Sequence, residues 1–191
     1  MRLLTSSRAW SKGGTPGPDS AAEYTSFNNF IKEIVVEGIQ VELVIWDNTG
    51  MDGYEKLRRL SYEDVHVVLL CFDISDQDSF DNLRHLWNVE ADTYLKKVPK
   101  ILVGCKKELQ NDVATLRSLR ESGHRPISTK KAEAFALEIN ALAYLETSAV
   151  QKSGLDELFD YAARAALTRG PSKGKKGIRR FLSRSEMKFK S

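Results

Sequence analysis

The run VHVVLLCF, Val65 to Phe72, constrains this chain more than any other stretch. A nearly continuous apolar run of strand length has no face to show to water, so it reads as a strand buried on both sides. Such a strand belongs in a largely parallel sheet with helices packed on either face. The neighbouring patterns agree. Phe30 to Val36 and Gln40 to Asp47 are strand-like runs joined at Glu37-Gly38, a hairpin signal. Ser75 or Asp76 caps a helix expected to run through Lys97, with Phe80, Leu83, Leu86 and Trp87 on one stripe. Lys100 to Cys105 is a further strand, Ser128 caps a helix to Asn140, and Ala143 to Glu146 is the last strand. Ser153 is expected to cap the final helix, with Asp156 and Glu157 favouring its dipole. Met1 to Ala22 is rich in Ser, Gly and Pro and reads as irregular. The fold class is therefore α/β, a mixed and mostly parallel sheet with helices on both faces.

A chain of 191 residues and 21.5 kDa, 41% hydrophobic, suits one domain with tails. Cys71 and Cys105 lie inside apolar runs and form no disulfide framework, which fits a reducing, cytoplasmic setting. No stretch approaches the roughly 20 apolar residues of a membrane span. No apolar core follows Arg2, so a secretory signal is not expected, and Gly13 to Pro18 would break a transit-peptide helix. Charge is divided unevenly. Pro171 to Ser191 holds eight Lys or Arg and one Glu, so +7 against a total of +3, leaving −4 elsewhere. The basic stretch suits an anionic lipid surface at the inner membrane face. Nucleic acid is not expected, because no aromatic platform accompanies the charge.

In a parallel sheet the strand C-termini converge on one edge, where ligands bind. Three loops follow strands there: Asp47-Asn48-Thr49-Gly50, Gly104-Cys105-Lys106-Lys107-Glu108 and Thr147-Ser148-Ala149. A phosphate site needs an acid for Mg²⁺ and a glycine whose N–H approaches the terminal phosphate, and Asp47 and Gly50 have that spacing. A guanine site needs an aliphatic stem over the base, a carboxylate for the ring N–H and amino group, and a backbone N–H for the carbonyl oxygen. Lys106, Glu108 and Ala149 suit those roles. Each loop alone is equally well a turn or a cap. All three in order are far more specific.

With those loops in place, Tyr24 to Arg169 resembles the Rho subfamily of Ras-like small GTPases. WDNTG stands where that family has WDTAG, YEKLRRLSY resembles its second switch, LVGCKKEL its base-specificity loop and ETSAV its final guanine loop. Leu109 to Ile127 matches the Rho insert, and YTSFNNF resembles the first switch. The resemblance implies a Ras-like P-loop NTPase fold over 23–169, an irregular segment over 1–22 and a basic tail over 170–191. It implies GTP or GDP with Mg²⁺, Thr25 and Asp47 as metal-side residues, and Cys105, Ser148 and Val150 in the base loops beside Lys106, Glu108 and Ala149. Effector and regulatory proteins would bind through the two switches.

The departures from the pattern carry equal weight. No G-x-x-x-x-G-K-[ST] motif is present; SKGGTPG places Lys12 ahead of its glycines. A strand–loop–helix unit needs roughly 30 residues, so the first strand and the phosphate loop are both expected to be missing. That loss would bare two apolar sheet edges unless Arg2 to Thr5 inserts as a short substitute. Met51 stands where the family has its water-orienting glutamine, so no catalytic residue is assigned. Glu108 replaces an aspartate and reaches one methylene further, Cys105 replaces a loop-bracing side chain, and Val150 replaces a lysine. The ending KFKS carries no prenylation cysteine. The expectation is a Rho-like GTP-binding signalling protein with impaired nucleotide binding and hydrolysis. The alternative is a nucleotide-free interaction module. A phospho-acceptor receiver domain is set aside, because it needs an acidic pair after an earlier strand.

Overall fold

A computed structural model describes residues 1–6, 28–48 and 53–168. Its centre is a six-stranded sheet in the order β2-β3-β1-β4-β5-β6. The strands are β1 (Arg2–Ser6), β2 (Asn28–Val36), β3 (Ile39–Asn48), β4 (Val67–Asp73), β5 (Lys100–Cys105) and β6 (Tyr144–Glu146). Only β2 runs antiparallel, against β3, and the other pairings are parallel.

The first strand is therefore present, which corrects the expectation that it is missing and that 1–22 is irregular throughout. β1 lies between β3 and β4, with Leu3 opposite Ile45 on one side and Val67 on the other. Leu3 is fully buried. A five-residue strand with few apolar side chains gains its place by pairing along both edges, which a local sequence pattern does not report. Filling that slot closes the two sheet edges that would have been bare.

The hairpin turns at Glu37 and Gly38, both with positive φ, as a two-residue turn matched to strand twist requires. All seven residues of β4 are buried, as the VHVVLLCF run demands. Helices α1 (Glu55–Leu60), α2 (Gln77–Asn82), α3 (Asn88–Tyr94), α4 (Val113–Glu121), α5 (Thr129–Glu138) and α6 (Leu155–Thr168) complete the domain. The helix expected from the Asp76 cap through Lys97 instead contains a widened π-helical turn, Leu83–Trp87, and ends at Tyr94. Asp76 does cap it, accepting from the N–H groups of Asp78 and Ser79. Ser128 caps α5 through the Lys131 N–H. The final helix starts at Leu155, while Ser153 pairs with Ser148 through two backbone hydrogen bonds rather than capping.

Two apolar layers cover the sheet. On one face α6 buries Leu158, Phe159, Ala162, Ala163 and Ala166 against Leu3, Leu43, Val67 and Ile101. On the other, Phe80 of α2 meets Phe72 of β4 and Phe135 of α5 edge-on, with ring centroids 4.9 and 5.1 Å apart. Among the described residues no helix is long and apolar enough to cross a membrane. The receiver reading fails on sequence as well: the earlier strand exists, ending at Ser6, and the sequence there reads Ser6-Ser7 and not an acidic pair.

Candidate functional site

The register brings Asp47, Asn48, Asp73, Cys105 and Glu146 to the C-terminal edge of the parallel strands, beside the start of β2. Asp47 is buried, 5% exposed, opposite Thr5 of β1. Thr25, Gly50 and Met51 lie outside the described residues, so the phosphate side is represented by Asp47. Asn48, which the sequence reading left without a role, is fully buried. Its side-chain amide donates to Ser61 Oγ at 2.9 Å, and the Ser61 hydroxyl donates to the Arg58 carbonyl at 2.7 Å. Asn48 thereby ties the end of β3 to the end of α1.

The base-side loops are hydrogen-bonded to one another. The Lys107 N–H donates to the Thr147 carbonyl at 3.0 Å, and the Thr147 N–H to the Gly104 carbonyl at 2.8 Å. Lys106 takes the left-handed conformation, φ 60° and ψ 41°, and starts a 3₁₀ turn, Lys107–Asn111. Its ammonium lies 2.8 Å from Asp73 Oδ2. Asp73 is held from the other side, where Oδ1 accepts from the Ser75 N–H at 2.8 Å and the Ser75 hydroxyl at 2.6 Å. Sequence reasoning missed Asp73, because only the β4–β5 register places it beside Cys105.

Glu108 presents a carboxylate oxygen, Oε2, that is buried with no hydrogen-bond partner among the described residues. An orphaned acceptor is costly unless something supplies a donor. Cys105 is 5% exposed, so its thiol points inward. A hydrogen bond with Cys71 lowers its pKa, burial opposes that, and Thr147 adds a further lowering. It bridges the strand interior, at Cys71, and the loop, at Thr147. Glu146 is a hub beneath both loops, accepting from Thr129 Oγ1 at 2.7 Å and from the Tyr144 hydroxyl at 3.0 Å, with Lys107 Nζ 3.8 Å away. Burial, then the Glu146 charge, pushes the Tyr144 phenol well above its usual pKa, so it stays a neutral donor. A Cβ at Gly104 would meet the Tyr144 hydroxyl at 2.5 Å, so a larger residue there must displace the phenol that donates to Glu146. Ser148 is fully buried, and its Oγ accepts from the Gln151 N–H at 3.0 Å, turning the loop so that Ala149 and Val150 face solvent.

A second polar centre joins α1 to α3. Arg58 is 2% exposed and pairs bidentately with Glu90, Nε to Oε1 at 3.1 Å and Nη2 to Oε2 at 2.9 Å. The Tyr62 hydroxyl also donates to Glu90 Oε1. The guanidinium lies 5.0 Å from the centre of the Trp87 ring, within cation–π range. Burial, then the Glu90 hydrogen bond and charge, raises the Tyr62 pKa far above its usual value.

A family model described as the Ras family matches residues 19–168. The chain is similar to GTP-binding protein RHO1 of Eremothecium gossypii, 41% identical over 153 residues that cover 79% of this chain and 74% of that protein. It is similar to GTP-binding protein RHO1 of Saccharomyces cerevisiae, 42% identical over 143 residues, covering 75% and 68%. GTP-binding protein rho5 of Schizosaccharomyces pombe is 39% identical over 143 residues, covering 75% and 72%.

Proposed function

The chain belongs to the Ras family as a Rho-like small GTPase, and from that premise we propose a signalling protein that selects guanine nucleotides but holds them weakly and hydrolyses GTP negligibly. The observation that carries this reading is the buried Glu108 Oε2, which has no hydrogen-bond partner among the described residues, in a loop braced by Lys106–Asp73 and Lys107–Glu146. A guanine ring N–H and amino group are the donors such an oxygen lacks. Ala149 and Lys106 would supply the backbone N–H and the aliphatic stem beside it.

The phosphate half is weaker. β1 fills the strand position that leads into the family's phosphate loop, and the sequence after it reads SRAWSKGG. It has neither the glycine spacing nor the terminal lysine that cradle phosphates. Mg²⁺, when bound, would supply positive charge against the phosphates. In this chain Asp47, with Thr25, would hold it. Met51 carries no group to orient an attacking water, so the Met51→Gln substitution alone restores no turnover without a phosphate cradle. Calorimetric titration of the full chain with GDP or ADP in Mg²⁺ tests the binding claim, and single-turnover GTP assays test the second. Weak binding that favours GDP, lost in Glu108→Ala, is the expected result. Equal affinity for ADP, or robust hydrolysis, refutes the reading.

A second reading is favoured by the buried Arg58–Glu90 pair, which ties the switch-like helix α1 to α3. In it, Tyr54–Tyr62 presents a fixed surface to effectors and regulators. Glutathione-bead capture of a tagged regulator fragment with and without GTP distinguishes the two: nucleotide-dependent capture rejects the second reading.

A further inference from the structure

We propose that Thr129 and Tyr144 are positioning residues for guanine selectivity, a role that rests on the reading of the base loops as a guanine site. Neither side chain belongs to those loops. Their hydroxyls aim the Glu146 carboxylate, which holds Lys107 and so sets the place of Glu108.

Glu146 ends β6, the three-residue strand at the sheet edge, and its side chain is 13% exposed. The chain runs on from it into Thr147-Ser148-Ala149, so one carboxylate stands at the root of both base loops. A carboxylate so enclosed needs donors. Its Oε1 accepts from Thr129 Oγ1 at 2.7 Å and from the Tyr144 hydroxyl at 3.0 Å. Both donors are anchored elsewhere. Thr129 is the first residue of α5, capped by Ser128, and the N-terminal end of that helix favours an anion beside it. The Tyr144 ring stacks on Phe72 of β4, with centroids 6.2 Å apart and 17° between the planes. Two anchored hydroxyls on one oxygen restrict how the carboxylate can turn. Its second oxygen, Oε2, then lies 3.8 Å from Lys107 Nζ.

Lys107 is held at its backbone as well, since its N–H donates to the carbonyl of Thr147, the residue after Glu146. Glu108 follows directly, inside the 3₁₀ turn Lys107–Asn111. No residue of that turn is sunk in the core, so apolar packing does not set its place. Polar ties do: Lys106 to Asp73 at the entrance, then Lys107 to Thr147 and Glu146. Hydrogen bonds to a base edge weaken steeply with misalignment, and Glu108 sits on a backbone that these ties fix. The path thus runs from α5 and β6, through Glu146 and Lys107, to the base-reading carboxylate.

Calorimetric titration of the full chain with GDP and with ADP, in Mg²⁺, tests the proposal. Hydrogen exchange over 106–111 without nucleotide runs beside it, because this segment carries the hydrogen-bonded Lys107 and Leu109 amides. Thr129→Val, which removes the hydroxyl at nearly constant shape, should weaken GDP binding about fivefold and leave ADP binding unchanged. Tyr144→Phe should match it. Thr129→Ser keeps the hydroxyl and should bind GDP within about twofold of wild type. Glu146→Gln still accepts from both hydroxyls but turns amide N–H groups toward the ammonium of Lys107. It should lose as much GDP selectivity, as should Lys107→Met, each with Tm within about 2 °C of wild type. Selectivity lost without stability is a result that a merely structural role would not give. Exchange over 106–111 should rise several-fold in Thr129→Val and Glu146→Gln while β5 amides stay protected. A wild-type GDP-to-ADP ratio in Glu146→Gln and Lys107→Met overturns the proposal, as does wild-type exchange over 106–111 in folded Thr129→Val. Equal GDP and ADP affinity in the wild type overturns the guanine reading and this role with it; failure of the role alone shows only in the variants.

Discussion

Lys106 and Asp73 face each other across the ends of two neighbouring strands, with the ammonium 2.8 Å from Oδ2. Asp73 is prearranged to receive it, because Ser75 already fixes its other oxygen from two donors. Together with Lys107–Glu146, this pair ties the base loop to the sheet by charge. Lys106 is more than a third exposed, so the pair contributes about 0.5 kcal/mol after solvent screening. Asp73→Ala, which also leaves the two Ser75 donors without their acceptor, should lower Tm by about 5 °C and reduce GDP affinity several-fold more than that loss of stability implies. Asp73→Asn should retain most of the affinity. Paired melting curves and GDP titrations check both.

Gly154 tests the loop beneath Ser148. Its φ is +75°, and a Cβ there would lie 2.2 Å from the Glu146 carbonyl oxygen. Gly123 has the same φ with open space around it. Gly123→Ala should cost about 1 kcal/mol of backbone strain. Gly154→Ala should cost about 2–4 kcal/mol, since a backbone oxygen must also move. Urea denaturation of the two variants separates strain from clash; equal losses would contradict the geometry.

Much of this was legible because its signals are local. Lys100–Cys105 stands where its apolar run ends, the hairpin turns at Glu37-Gly38, and Asp76 and Ser128 cap the helices they precede. What was not legible depends on partners distant in sequence. RLLTS becomes β1 only because two strands flank it. Nothing in EKLRRL separates buried Arg58 from exposed Arg59; only Glu90 and Trp87 do. Asp73 reads as a strand end until Lys106 reaches it.

Asp112 ties helix α4 to pH. Its carboxylate accepts from the Thr115 N–H at 2.8 Å and the Thr115 hydroxyl at 2.7 Å. These bonds hold its pKa below the usual carboxylate value. The folded value is depressed, so the stabilisation is complete above about pH 4 and fades as pH falls through the folded pKa. Because α4 buries no side chain, it should fray first on acidification, seen as faster exchange of the Thr115 amide at pH 3 than at pH 6 after correction for intrinsic rates. Asp112→Ala should exchange fast at both.

The basic stretch Pro171–Ser191, outside the described residues, should draw the chain to anionic vesicles at low ionic strength, with binding that weakens as salt rises. Sedimentation with phosphatidylserine vesicles across a salt series measures this, and deletion of 171–191 should abolish it. Binding that ignores salt would mean apolar insertion instead.

We infer that the base loops select guanine while the sequence after β1, SRAWSKGG, supplies no phosphate cradle. Nucleotide released by denaturing freshly purified protein, separated by chromatography and quantified against protein, tests it most directly. Far less than one equivalent is expected, with GDP or GTP exceeding adenine nucleotides in whatever is retained. One equivalent of GDP or GTP per chain would contradict it and require a phosphate cradle built from other residues.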